Sequence, residues 1–180
     1  SKVLLSTANL LFDDMFHNNN TAIYIESKAI AYFFEQEFQQ MWNSGNGKFG
    51  TDKTVDYSFI AFIKYSGRTI VFEGYFSPQA YTDRAKIPNM VYGYISRAQS
   101  SVYFASYIFT NSSYVKNVYE GIVNAPNNGC VVKGVFDELL NLDSPGRRIY
   151  WFIDNGTDIA IDVHPYKMHA KLFTCLLYTS

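Results

Sequence analysis

The sequence predicts an α/β protein built on a mixed, largely parallel sheet flanked by helices on both faces. Three observations lead there. Strand-like and helix-like segments alternate with short links through the second half of the chain. Residues 101–110 are apolar on both parities, broken only by small and tyrosyl residues, as suits a strand covered on both faces. Each helix-like segment carries one apolar stripe at three- and four-residue spacing.

Residues 2–7 read as a short apolar strand, followed by a polar loop through Asn20 and a strand at 21–25. Ser27 is placed to cap a helix running to about Trp42. Ile30, Phe33, Phe34, Phe38, Met41 and Trp42 form its stripe. Residues 43–50 are rich in Asn, Ser and Gly and read as a linker. Strand-like runs at 55–63 and 69–76 flank residues 64–68, which predicts a hairpin. Pro88 suits the first turn of a helix with stripe Ile87, Val91, Ile95 and Ala98. Beyond the strand at 101–110, Ser112 or Ser113 caps a helix with stripe Val115, Val118, Tyr119 and Ile122. Gly129 closes that connection, 131–136 is the next strand, and a helix spans 146–154. Strands at 158–163 and 165–173 complete the pattern.

At 180 residues the chain can bury one good core, or two halves sharing an interface. Its composition is 48% hydrophobic, 18% aromatic and 17% charged, which is globular and excludes disorder. A net charge of −1 provides no bulk basic field for a polyanion, although a local basic groove can hide in a neutral total. No apolar run approaches the roughly 20 residues of a membrane span. Two cysteines are too few for a disulfide framework, and Cys130, in an apolar run, reads as a buried free thiol.

The chemistry concentrates in Pro165-Tyr166-Lys167-Met168-His169-Ala170-Lys171-Leu172-Phe173. On a strand, His169 and Lys171 share one face. An imidazole can attack or protonate near neutral pH while an ammonium holds a phosphoryl oxygen. Alone, His-x-Lys is a weak signal, since a strand histidine is more often structural. His164 falls on the opposite face behind Pro165, so a metal shared with His169 is not expected. Asp137 and Glu138 end a strand where sites in open α/β sheets collect, yet such carboxylates are more often merely solvated. Asn18-Asn19-Asn20 reads as a turn-rich loop, and His17 as a loop histidine with no evident partner.

The succession from Gly129 to Asp137, through Asp158-Ile159-Ala160-Ile161-Asp162-Val163 to His-x-Lys, resembles the C-terminal half of the phospholipase D superfamily. Lys2-Val3-Leu4-Leu5-Ser6-Thr7-Ala8-Asn9-Leu10 is similar to the strand and Gly-Ser-x-Asn element after that family's first His-x-Lys-x4-Asp motif. Residues 17–25 and the helix ending Glu37-Phe38-Gln39-Gln40-Met41-Trp42 extend the resemblance, which covers residues 2 to about 174. It implies a phospholipase D-like fold and phosphodiester hydrolysis or phosphatidyl transfer through a covalent phosphohistidine. It assigns His169 and Lys171 to the second motif as catalytic groups. Thr7 and Asn9 map to residues that bind the phosphate or brace the lysines, with Asn20 as a supporting candidate. No metal or cofactor is implied. The implied partner is a phosphodiester substrate, a phospholipid in preference to nucleic acid; oligomeric state does not follow.

The resemblance further implies a fragment, with residues 1–50 from the first half, 51–76 a linking hairpin, and 77–174 a truncated second half. The first motif's His, Lys and Asp would precede Ser1, and such a fragment is expected to be inactive alone. Leu176 stands where the second motif wants its acid, and Ser6 replaces a glycine. Residues 175–180 do not fit the family, resemble translated adapter sequence, and are expected to add nothing to the core. Two other functions stay open: a phospholipase D-like nuclease acting on polynucleotides, and a non-catalytic domain of the same fold.

Overall fold

In the computed structural model, which describes residues 1–44, 53, 55–77, 85–110, 112–138 and 149–176, the chain divides into two units. One comprises Ser1–Leu5 and Ile23–Ile87, the other Ser6–Ala22 and Pro88–Ser180. Among the described residues, no helix is long and apolar enough to cross a membrane.

In the first unit, strand β1 (Lys2–Ser6) pairs with β2 (Ala22–Glu26). Helix α2 (Lys28–Asn43) starts where Ser27 Oγ accepts the N–H of Ile30 at 3.3 Å, the cap expected of a serine there. Only the first half of its predicted stripe is covered. Ile30 is fully buried and Phe33 and Phe34 pack beside it, whereas Phe38, Met41 and Trp42 are exposed. The buried residue of the second half is Glu37, which binds Lys53 at 2.6 Å. An apolar stripe cannot anticipate a charge neutralised by a partner elsewhere in the chain. Strands β3 (Phe59–Tyr65) and β4 (Arg68–Gly74) form the antiparallel hairpin, tighter than predicted. Its two loop residues, Ser66 and Gly67, have φ of 48° and 74°. Paired positive φ is the I′ turn that matches strand twist, and glycine takes the second place without strain. Residues 55–58 lie outside the strand. Most of the predicted linker, 45–50, lies outside the described residues.

The second unit holds the α/β sheet, in the order β7-β6-β5-β8. Strand β5 (Ser101–Ser106) runs parallel to β6 (Val131–Asp137), and β6 parallel to β7 (Asp158–Asp162). Strand β8 (Lys171–Leu176) is antiparallel to β5, pairing Ser106 with Lys171 and Ser101 with Leu176. The sheet is therefore mixed and largely parallel. Helices α3 (Lys86–Ser96), α4 (Lys116–Asn124) and α5 (Ile149–Asp154) supply its apolar cover. Ile95, Ala98, Val118, Tyr119 and Ile122 from the predicted stripes join Val102, Phe104, Phe136 and Phe152 in one core. At Gly134 an added Cβ would fall 2.4 Å from the Phe104 ring, so the absence of a side chain lets that ring lie over the strand. Cys130 is a buried free thiol donating to the Ala98 carbonyl at 3.1 Å.

Three expectations change here. Residues 12–16 form a five-residue helix, α1 (Phe12–Phe16), within the predicted polar loop; five residues are too few to display helical periodicity. Strand β5 stops at Ser106, not at residue 110, because the chain bends there and Ser106 Oγ donates to the Ile108 carbonyl at 2.8 Å. Cys175 and Leu176, read as tail, belong to β8. Cys175 packs against the core, and the Leu176 carbonyl accepts from the N–H groups of Gln99 and Ser100. Residues 177–180 lie outside the described residues.

Candidate functional site

Register places the candidate residues. Strands β5, β6 and β7 end on the edge of the sheet where the antiparallel β8 begins. In open α/β sheets, carboxyl strand ends gather functional groups because the helical connections leave them uncovered. Here Tyr107 follows β5, Asp137 ends β6, Asp162 ends β7, and Lys171 opens β8.

Asp137 proves structural in its contact. It is 2% exposed, and its Oδ2 accepts the Met168 N–H at 2.8 Å, fixing the backbone just ahead of His169. It is not the solvated strand-end carboxylate expected; Glu138 is exposed. His169 itself precedes β8 and does not lie on a strand.

The segment Ser6–Ala22 meets this edge through its three consecutive asparagines. Asn18 Oδ1 accepts the Lys167 N–H at 2.8 Å, and its Nδ2 donates to Asp14 at 2.6 Å. The Asn19 N–H donates to the Lys167 carbonyl at 3.0 Å, and its Nδ2 to Asp162 at 3.2 Å. Asn20 Nδ2 donates to the Asp14 carbonyl at 2.8 Å, which turns its Oδ1 toward Thr7 and His169. The run is a clamp, with each amide bridging two pieces of backbone or side chain.

His169 Nδ1 donates to the Thr7 carbonyl at 2.8 Å and lies 3.3 Å from Asn20 Oδ1. Both neighbours are acceptors, so the proton of a neutral ring sits on Nδ1 and the lone pair on Nε2. The ring meets the edge of Tyr107 at 5.1 Å, and Lys171 Nζ lies 5.3 Å from the centre of the same ring. His169 lines a cleft of about 440 Å³ with Asn9, Asp14, Asn18, Tyr107 and Lys167. Lys171 is not among the lining residues. Its ammonium folds back onto the His169 carbonyl at 2.7 Å, although a shared strand face predicted a common direction. Burial lowers the Lys171 pKa, opposed by the charge of Asp14.

Thr7 supports the histidine through its backbone, while its hydroxyl is spent locally. It donates to Asn20 Oδ1 at 2.9 Å and accepts the Thr21 N–H at 2.9 Å. Asn9 reaches the site through Asp14, giving Oδ2 a side-chain bond of 2.5 Å and a backbone bond of 3.1 Å. Thr7, Asn20 and His169 are thus brought into contact, and Asn9 shares the cleft.

Asp14, like Tyr107, carries no signal in the sequence. It is 6% exposed, and its carboxyl is held down at about 2 from an ordinary 3.8. The amide of Asn18 contributes most, then Asn9, with the charge of His169 adding a little. One acid of an Asp-Asp pair in a five-residue helix gives no pattern to find. His17, expected to be partnerless, bonds Asp13 at 3.0 Å and stacks on Tyr166 at 4.2 Å. His164 Nδ1 accepts the Tyr166 N–H at 3.3 Å. Among the described residues, no group of three or more His, Cys, Asp or Glu is placed to hold a metal ion. No family model matches the chain, and no curated protein matches it.

Proposed function

We propose that this chain supplies one His-x-Lys half of a phosphodiesterase site, with His169 as nucleophile or as general acid and base. The observation that carries this reading is the bond from His169 Nδ1–H to the Thr7 carbonyl, which leaves Nε2 as the ring's basic nitrogen. A carbonyl that accepts the Nδ1 proton orients the imidazole and stabilises the positive charge that grows when Nε2 takes a proton or forms a bond.

As nucleophile, Nε2 would form the new N–P bond while the ester P–O bond breaks and the departing oxygen takes a proton from a second acid. Water then cleaves the phosphohistidine, restoring the ring and giving the phosphomonoester; an alcohol in place of water gives transfer. Lys171 would exchange the His169 carbonyl for a phosphoryl oxygen, helped by Lys167, which already lines the cleft. The chain has three histidines, and His17 and His164 are not among the cleft's lining residues. The second acid therefore comes from outside these residues: the other motif of a longer polypeptide, or a second copy of the chain.

The test joins turnover of a chromogenic phosphodiester with solution mass. The 180-residue chain as a monomer is expected to show no measurable turnover. A longer protein carrying both motifs is expected to be active, and His169→Ala in it should lower the rate by several orders of magnitude. Turnover by the monomeric chain, or an active His169→Ala protein, would overturn the assignment.

A further inference from the structure

We infer that the free edge of β8, with the apolar groove between it and α3, binds an extended peptide segment of a partner protein. The segment is apolar at alternate positions and carries a carboxylate at one end. The inference rests on none of the residues that line the cleft beside His169.

The sheet has two edges, and they differ. Strand β7 is five residues long and carries an aspartate at each end, Asp158 and Asp162. Charges on a short edge strand keep another strand from adding to it. Strand β8 has six residues, and after Lys171 the run Leu172-Phe173-Thr174-Cys175-Leu176 has neither charge nor proline. On one side it pairs with β5; on the other, among the described residues, no strand pairs with it. In an antiparallel edge strand, alternate residues direct N–H and C=O away from the sheet, and these groups pair with an extended backbone laid beside them.

The surroundings select the side chains. Phe173 and Cys175, with Met90, Val91, Tyr94 and Ile95 of α3, line a groove of about 320 Å³. No β5 residue lines it, which puts it on the outer side of β8. Phe173 stacks on Phe104 with planes 15° apart and is still 37% exposed. On the opposite face of the strand, Leu172 and Leu176 are exposed too. A strand added here places alternate side chains in the groove and the others beside these leucines, so apolar residues gain most at the groove positions. In this mode of recognition main-chain bonds supply affinity and the pockets supply selectivity.

Charge orients the segment. Arg97, just after α3, is exposed, and its guanidinium lies over the Tyr94 ring at 5.1 Å. Among the described residues it forms no ion pair. The same turn adjoins the end of β8, where Gln99 and Ser100 donate to the Leu176 carbonyl. A carboxylate on the peptide therefore finds its counter-ion at the Leu176 end. At the other end the Lys171 ammonium is turned onto the His169 carbonyl.

The experiment titrates the 180-residue chain into a fluorescein-labelled, C-terminally amidated peptide, Ser-Val-Thr-Val-Thr-Val-Glu, by anisotropy, with sedimentation giving the mass of the complex. One peptide is expected to bind each chain. N-methylating the peptide amides of one parity should weaken binding about tenfold or more, and methylating the other parity should leave it nearly unchanged, because only one edge of the peptide meets β8. That contrast needs no variant of the protein. Phe173→Ala should weaken binding about tenfold. Arg97→Glu should weaken it about fivefold, and a peptide ending in glutamine should not feel that change. Absent binding, binding indifferent to methylation of either parity, or affinity unmoved by both Phe173→Ala and Arg97→Glu overturns the inference. A chain that is dimeric before peptide is added, and stays dimeric at saturation, assigns the edge to a second copy and overturns it likewise.

Discussion

Each unit buries a carboxylate within a helix, Glu37 in α2 and Asp14 in α1, and the two are handled in opposite ways. Glu37 in the first unit meets a cation: Lys53 sits 2.6 Å away with its side chain wholly covered, and Gln40 adds a bond at 3.2 Å. Among the described residues, Asp14 in the second unit is hydrogen-bonded by neutral donors only, from Asn9 and Asn18. An ion pair cancels its own field, whereas amides stabilise an anion without cancelling it. The charge of Asp14 therefore acts on its surroundings and raises the pKa of Lys171 against the effect of burial. One acid is neutralised by its partner; the other keeps a charge that acts on Lys171.

The comparison is easiest to break at Lys53. Lys53→Met leaves Glu37 buried and unpaired, which should cost about 3–5 kcal/mol in chemical denaturation. Adding Glu37→Leu should recover most of that loss. If the double variant is no better than the single one, the pair does more than neutralise itself.

Next comes Asp14→Asn, where the informative quantity is a slope. The folded-state pKa of about 2 lies below the ordinary 3.8, so ionised Asp14 stabilises the fold above about pH 3.8. That contribution fades as pH falls from there to about 2. The gap in urea midpoint between wild type and Asp14→Asn should be widest near neutrality and close through that acid window. A gap unchanged down to about pH 2 would mean that the carboxylate is not the stabilised species.

The smallest effect is expected from Asn20→Ala. It removes one donor from the Asp14 carbonyl and the second acceptor near His169, at about 1 kcal/mol. The sharper readout is the ring itself. Nitrogen chemical shifts should still place the neutral proton of His169 on Nδ1, since the Thr7 carbonyl remains, but with more of the other tautomer than in the wild type. An unchanged tautomer balance would assign the orientation to Thr7 alone.

Strand and helix patterning made the second unit legible. Val102, Phe104, Val118, Ile122 and Phe136 are core where their spacing put them. Patterns failed where the deciding partner was distant. Glu37 breaks its stripe because Lys53, sixteen residues on, covers it. At the site, His169 and Lys171 were readable as a motif, and Thr7, Asn9 and Asn20 by resemblance. Asp14 and Tyr107 were not, and Asp137 was legible only as a strand-end carboxylate, because their roles depend on which strand ends share an edge, a property of register and not of spacing. The asparagine run was visible as a turn, and its work as a clamp appears only once both sides are in place.

That clamp also fixes when the site can exist. Thr7 and His169 are 162 residues apart in the chain, and β5 waits for β8, which follows it by α4, β6, α5, β7 and their connections. Closing such long loops carries an entropy cost before the contacts return anything, and folds dominated by distant pairings assemble slowly. During synthesis, β5 and β6 can pair while the residues that will face His169 sit idle near the start of the chain. The cleft therefore cannot close until the segment that carries His169 and β8 has been made.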